Sequence, residues 1–444
     1  MTSNIAAVVM AAGLGTRMRS AVPKHLHPLL GRRMVDWVIA AATDAGSDPT
    51  VVVASPTTAD GFERVAVAIQ EKPLGTGDAV RAARTMLEGA ASDVLVLSGD
   101  VPLLTADLLA ALLATHRREQ ATATVLSFEP DDARQYGRVV RGGDGRLARI
   151  VEAGDATPEE LELRELNSSI YVFAGAALWP ALERLQPHNV QGELYLTDVI
   201  GILVANGEPV AVHVADDPIE AEGVNTRVEL AHAAAVLRAR INREHQLAGV
   251  TIVDPQTTWI EPTVVLEPDV TVHPFTYLRG TTKVAGGAEI NANVVAVDAE
   301  IGPEVVVGPF CYLRPGTVLE ARAKAGTFVE LKGSRIGENA KVPHLSYLGD
   351  AEVGAGTNIA AGNITANFKH EPGEPKAKTR IGRNVRTGVD NTFDAPVEIG
   401  DDVWLAPGAV ITDDVPPGSL AGFAPRQETK EGWVYARHEH GNDD

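Results

Sequence analysis

Short, wholly apolar runs alternate with helix-periodic stretches through the first half of the chain. Ile5-Ala6-Ala7-Val8-Val9-Met10 reads as a buried strand running into a glycine-rich turn, and residues 34–42 then carry a helical pattern. Val51-Val52-Val53-Ala54 predicts the next strand. Val94-Leu95-Val96-Leu97 is apolar at every position, as a strand covered on both faces requires. Residues 122–128, 170–173 and 210–214 add strands, and residues 107–116 a helix. That order predicts an α/β domain with a largely parallel sheet, its ligands held beyond the carboxyl ends of strands.

The pattern then changes. Residues 226–248 place Leu230, Ala234, Leu237 and Ile241 at helical spacing among Arg and Glu, with Thr226 as N-cap, and predict one long connecting helix. Beyond it the period becomes six. Ile260, Leu266, Val272, Leu278, Val284, Ile290 and Ala296 stand six apart; after a slip of one, Ile301, Val307, Leu313, Leu319, Ala325 and Leu331 continue. Ile336, Val342 and Leu348 follow a second slip, then Val353, Ile359 and Thr365; Ile381, Thr387, Phe393, Ile399, Leu405 and Ile411 resume after an interruption. Neither an α-helix nor an antiparallel sheet has this period. It predicts a parallel β-helix in which each rung buries one small residue per face. The expected division is 1–225, a helical linker 226–248, and 249–444. Residues 365–380, with Pro372, Pro375 and the cations Lys369, Lys376, Lys378 and Arg380, read as an extruded basic loop, and residues 437–444 as a frayed end.

Charge narrows the function. Among 444 residues, Lys+Arg 39 against Asp+Glu 59 leaves a net charge of −20. A nucleic-acid coat protein needs a positive surface, so that class is excluded, whereas small phosphorylated substrates need only a few local cations. The lone Cys311 excludes an internal disulfide framework and fits a reducing compartment. The apolar opening is too short to span a bilayer and lacks the pattern of a signal peptide. The expectation is a soluble, acidic, cytoplasmic protein with no membrane span.

Ala11-Ala12-Gly13-Leu14-Gly15-Thr16-Arg17-Met18 follows the first strand directly. Glycines let backbone approach a polyphosphate, and Arg17 and Lys24 supply cations for its oxygens. Taken alone, the stretch reads equally well as a tight turn with a surface Arg. Ser98-Gly99-Asp100-Val101-Pro102 places a carboxylate at the end of a buried strand, suited to Mg²⁺ or merely to closing a turn.

Together with Pro23-Lys24, Leu74-Gly75-Thr76-Gly77 and Glu222-Gly223-Val224-Asn225, these segments resemble, in order, the bacterial bifunctional N-acetylglucosamine-1-phosphate uridyltransferase/glucosamine-1-phosphate acetyltransferase family. The hexapeptide half matches as well, so the resemblance covers nearly the whole chain. It implies a Rossmann-like nucleotidyltransferase domain, a long helix and a left-handed parallel β-helix. It assigns Mg²⁺ to Asp100 and Asn225. UTP or UDP-N-acetylglucosamine would meet Met10, Ala11, Ala12, Gly13, Lys24, Gln70, Gly75, Thr76 and Asn225, with Gly137, Glu152 and Asn167 gripping the N-acetylated sugar. Attack of the sugar 1-phosphate on the α-phosphorus of UTP needs no protein nucleophile, and Arg17 and Lys24 would stabilise the growing charge.

Val342-Pro343-His344-Leu345-Ser346-Tyr347-Leu348-Gly349-Asp350 lies among the hexapeptides. As a rung, it predicts His344 and Leu345 on opposite sides and Leu348 buried. By residue type alone, His344 is a surface histidine. The resemblance makes it the general base that frees the 2-amino group of glucosamine 1-phosphate to attack acetyl-CoA, oriented by Glu330. Arg314, Lys332, Tyr347 and Asn358 match the sugar-phosphate positions, and Ala361, Asn367, Phe368, Val389, Pro407 and Arg426 the coenzyme side. Several of these depart from the family pattern: Ala360-Ala361-Gly362-Asn363 stands for Gly-Ala-Gly-Thr, Val389 for a small residue and Pro407 for Ala. Lys369, Lys376, Lys378 and Arg380 then become candidates for the coenzyme phosphates. A homotrimer is implied. The alternatives are a single-activity nucleotidyltransferase whose β-helix serves only assembly or regulation, and a non-enzymatic binding protein; the Arg17, Lys24, Asp100 and Asn225 set disfavours the second.

Overall fold

Strand β1 (Ile5–Ala11) forms the middle of a sheet in the first half of the computed structural model, which describes residues 5–422 except 14, 134 and 369–375, and residues 427, 429–433 and 435 after them. The other strands are β2 (Thr50–Ala54), β3 (Ala66–Ile69), β4 (Asp93–Ser98), β5 (Ala123–Phe128), β6 (Gly137–Arg141), β7 (Leu147–Val151), β8 (Leu166–Ala174) and β9 (Val210–Val214). The order is β9-β5-β8-β4-β1-β2-β3, with the β6–β7 hairpin attached to β8. Alternate residues of β1 serve opposite faces: Ala6 and Val8 pack in one apolar cluster, Ile5, Ala7 and Val9 in the other. Two buried faces explain why these strands read as unbroken apolar runs.

The sheet is largely parallel, as expected: along its seven-strand path only β8 runs the other way, antiparallel to both β4 and β5. β8 enters from the β6–β7 hairpin and not from a crossover helix, which reverses its direction. The reversal brings the start of β8, at Asn167, to the edge where β1 and β4 end, and the pairing shifts register between Asn167 and Tyr171.

The predicted helices lie at α1 (Met34–Asp44), α2 (Ala106–Arg118) and α3 (Arg227–Leu247). Thr226 caps α3 as its sequence suggests: its hydroxyl accepts from the Glu229 N–H at 3.2 Å, and the Glu229 carboxylate accepts from the Thr226 N–H at 3.0 Å. The chain divides into two compact units between Leu237 and Arg238, inside α3.

In the second unit short parallel strands stack into three sheets of six, nine and eight strands, a parallel β-helix of the left-handed hexapeptide class. Ile260 pairs with Leu278, one full turn later, and Val284 with Ile301, where the count has slipped by one. The marker residues from Ile260 to Ile411 are buried, Thr365 and Thr387 included. Corners are made by left-handed residues, several of them not glycine: Phe275, Phe310, Phe328 and Leu345 at one corner have φ between 47° and 59°. At the predicted loop the Asn367 carbonyl accepts from the Ala377 N–H at 3.1 Å, so the flanks meet. Residues 369–375 and 437–444 lie outside the described residues.

Candidate functional site

The first site stands where β1 and β4 end. Gly15 has φ +61°, and a Cβ there would lie 2.3 Å from the Lys24 Cβ, so glycine is what lets the turn close on Lys24. A Cβ on Gly13 would meet nothing within 4 Å, leaving open space above the turn. Lys24 Nζ donates to Asp100 Oδ2 and, at 2.8 Å, to Asn225 Oδ1. Arg17 Nη2 donates to the same Asn225 oxygen at 2.8 Å, and Ser98 Oγ to Asp100 Oδ1 at 2.6 Å. Asn225 is fixed by the helix cap, since the Glu229 carboxylate also accepts its N–H.

Burial works to raise the Asp100 carboxyl, but the Lys24 charge and hydrogen bonds from Lys24 and Ser98 outweigh it and hold the group below the usual carboxylate range. Burial pushes His25 down to about 4 against the pull of Asp100, so that ring is neutral at pH 7. Among the described residues, no three His, Cys, Asp or Glu side chains form a metal cage. The donor set still fits Mg²⁺: one carboxylate and one amide oxygen converge on a single point, and this hard cation completes its shell with phosphates and water.

A cavity of about 490 Å³ adjoins these groups, with Met10, Arg17, Thr76, Glu152, Tyr171 and Thr197 in its wall. Gln70 is buried and supports the neighbouring loop, its amide donating to Gly75 O and Asp78 Oδ2 at 3.0 Å each. Gly75 has φ +114°, and a Cβ would lie 2.5 Å from Leu194 O. Thr76 Oγ1 accepts from the Leu196 N–H at 2.9 Å. Gly137 pairs with Asn167 across β6 and β8, and a Cβ on Gly137 would come 3.4 Å from Glu152 Oε2, so the three sugar candidates cluster. Thr197 donates to Glu152 Oε1 at 3.1 Å, and burial raises that carboxyl above its ordinary range. Sequence reasoning missed Thr197 and Ser98 because their partnerships exist only in the folded sheet. A larger cavity, about 760 Å³, lies at the β9 edge among Thr115, Arg141 and Val210, away from these motifs.

The second site lies on the β-helix. Arg314 and Lys332 follow the paired markers Leu313 and Leu331, which stacks them on neighbouring rungs of one face; Glu330 pairs with Tyr347 beside them. Arg314 Nη1 donates to Glu330 Oε1 at 2.9 Å, and Lys332 Nζ reaches both Asp350 oxygens at 3.2 Å. Asn367 donates to Asp350 Oδ2 at 2.6 Å. A Cβ on Gly349 would lie 2.4 Å from Tyr347 Oη and 2.5 Å from Asn367 Nδ2, so both side chains cross that glycine. Asp350 joins this group although only its sequence neighbours carried assigned roles.

His344 is exposed and ends the strand Lys341–His344. The expectation that His344 and Leu345 face opposite sides is corrected: both are exposed, because Leu345 turns the corner at φ 47° and strand alternation stops there. Among the described residues the His344 ring makes no hydrogen bond, and the Glu330 carboxylate is engaged by Arg314. Tyr347, Ile364, Thr392 and Val410 pair in succession, so the positions three residues upstream, His344, Ala361, Val389 and Pro407, align along one corner. Rungs are about 4.8 Å apart, which gives a row of roughly 14 Å. Phe368 is exposed nearby in sequence. Asn358 sits on the preceding face, between Lys341 and Arg386. Of the four loop cations, Lys376 faces Lys332, which lowers its pKa, while Lys378 and Arg380 approach Glu352 at 4.0 and 3.6 Å. Lys369 and Arg426 lie outside the described residues.

A cation–carboxylate cleft at the carboxyl edge of an α/β sheet, followed by a hexapeptide β-helix with an exposed histidine, defines a nucleotidyltransferase joined to a β-helical enzyme unit. Residues 7–198 match the MobA-like NTP transferase domain. The chain is 46% identical to bifunctional protein GlmU of Streptomyces coelicolor, covering 97% of this chain and 94% of that one. It is 45% identical to bifunctional protein GlmU of Corynebacterium efficiens (97% and 94% covered) and 45% to that of Mycobacterium tuberculosis (97% and 92%). The chain belongs to the bifunctional GlmU family.

Proposed function

We propose that this bifunctional enzyme makes UDP-N-acetylglucosamine in two steps, acetyl transfer on residues 249–444 and uridylyl transfer on residues 1–225, linked by 226–248. The reading is supported by two separate sets of residues, one in each unit: Lys24, Arg17, Asp100 and Asn225, joined by hydrogen bonds, in the first, and the Arg314–Glu330 and Lys332–Asp350 ion pairs beside Tyr347, with the exposed His344, in the second. A β-helix used only for assembly needs none of the second set, and that alternative is not favoured.

In the first step glucosamine 1-phosphate docks its phosphate against Arg314 and Lys332. His344 takes a proton from the 2-amino group, the amine forms the amide with the acetyl carbon, and the thioester C–S bond breaks to release coenzyme A. Ala361, Val389 and Pro407, in a row with His344 along one corner, would contact the coenzyme. In the second step the 1-phosphate oxygen of N-acetylglucosamine 1-phosphate attacks the α-phosphorus of UTP and pyrophosphate leaves. Glu152, Asn167 and Gly137 orient the sugar, Gln70 and the 75–76 backbone shape the base pocket, and Arg17 and Lys24 stabilise charge on the phosphate oxygens. Mg²⁺, held by Asp100 and Asn225, would add Lewis-acid stabilisation of that charge. We assign a homotrimeric, cytoplasmic enzyme; no helix among the described residues is long and apolar enough to cross a membrane.

Single substitutions test the division of labour. His344→Ala should abolish acetyl transfer and leave pyrophosphate release intact, and Asp100→Ala should do the reverse. Joint loss in folded protein would contradict two independent sites.

A further inference from the structure

The same two oxygens assigned to the metal, Asp100 Oδ2 and Asn225 Oδ1, are both engaged by the Lys24 ammonium. Arg17 adds a second cation to Asn225 Oδ1 at 2.8 Å. Lys24 and Asp100 are largely shielded, with 16% and 18% of their side chains exposed, so solvent cannot readily substitute for either partner. The close approach of Gly15 to the Lys24 Cβ limits where the stem of that side chain can go.

From this geometry we infer that Lys24 is the resident counter-ion of the metal site, competing with a divalent cation until a nucleotide polyphosphate offers the ammonium an alternative partner. The inference rests on the assignment of Asp100 and Asn225 as metal ligands and adds an order to it. A divalent ion arriving alone must displace an ammonium from a carboxylate and leave that charge unpaired, which is costly in a shielded site. An ion arriving with a triphosphate brings four negative charges, onto which Lys24 and Arg17 can swing. Lys24 would thus move from ligand oxygens to phosphate oxygens, coupling metal affinity to nucleotide occupancy. By linkage, metal and nucleotide raise each other's affinity by the same factor.

The test uses full-length protein without nucleotide, with Mn²⁺ alone as probe and free ion read by electron paramagnetic resonance. Lys24→Gln should bind Mn²⁺ about tenfold more tightly than wild type, a shift of about 1.4 kcal/mol. Lys24→Arg, which keeps the charge, should stay as weak as wild type, and Asp100→Asn should weaken binding in either background. Equal affinity in wild type and Lys24→Gln, with Asp100→Asn still weakening both, would overturn the counter-ion role while leaving the metal ligands in place. Binding indifferent to Asp100→Asn would overturn the ligand assignment and this inference with it. Should Lys24→Gln fail to fold, wild-type protein decides. Amine labelling of Lys24, followed by mass spectrometry, should rise several-fold in saturating Mn²⁺ as the ammonium is released; labelling unchanged by metal would refute the exchange.

Discussion

Gly15→Ala isolates the turn that holds Lys24. At φ +61° an alanine costs about 1–2 kcal/mol in the left-handed region. Its Cβ would also stand 2.3 Å from the Lys24 Cβ and 3.3 Å from the Lys24 Cα, and neither atom is the free end of a flexible chain. Relief requires the 15–24 turn to open by about an ångström, against an overpacking penalty of about 1–3 kcal/mol. Either way Lys24 and Arg17 shift relative to Asp100 and Asn225. Misplacement on that scale costs roughly 100-fold in rate, or about 2.7 kcal/mol of transition-state stabilisation. The assay compares pyrophosphate release from UTP and N-acetylglucosamine 1-phosphate with thiol release from acetyl-CoA and glucosamine 1-phosphate in one preparation. Uridylyl transfer should fall by about two orders of magnitude in kcat/KM, with acetyl transfer within twofold of wild type. A folded variant with unimpaired uridylyl transfer would refute the idea that this glycine sets the position of the cations.

Two further predictions concern carboxylates. Burial raises Glu152, so its ionised form costs stability above the folded pKa, a cost relieved as pH falls through it; sugar binding, which needs the acceptor, runs the opposite way. KM for N-acetylglucosamine 1-phosphate should therefore rise on acidification at a higher pH than an ordinary carboxylate would give, and a KM–pH profile of Glu152→Gln should lack that limb. Asp350 holds Lys332 and Asn367, so Asp350→Asn should raise KM for glucosamine 1-phosphate roughly tenfold, the worth of one charge-assisted hydrogen bond. Uridylyl transfer, measured alongside, should not change.

The β-helix was legible because its geometry repeats: one inward position per face every six residues leaves a mark that Ile260 through Ile411 carry, and even the one-residue slips appear as shortened turns. The cap of α3 was legible because Thr226 and Glu229 are three residues apart and act locally. The reversed direction of β8 was not: it is as apolar as β4 and β5, which it pairs antiparallel, and only its entry from a hairpin turns it round. The corner at Leu345 was hidden for a related reason: a leucine in the left-handed region has no signature in residue type, yet it decides that His344 stands exposed at an edge. Motif order singled out Lys24, Asp100 and Asn225, but their union spans 76 and 201 residues and depends on the fold. Thr197 meets Glu152 across 45 residues and had no local signal at all.

The most direct test of two chemistries on one polypeptide is a single reaction containing glucosamine 1-phosphate, acetyl-CoA, UTP and Mg²⁺, with each omitted in turn and products followed by mass. The complete mixture should yield UDP-N-acetylglucosamine, and omission of UTP should leave N-acetylglucosamine 1-phosphate as the end product. Failure to release either coenzyme A or pyrophosphate from the complete mixture would contradict the account.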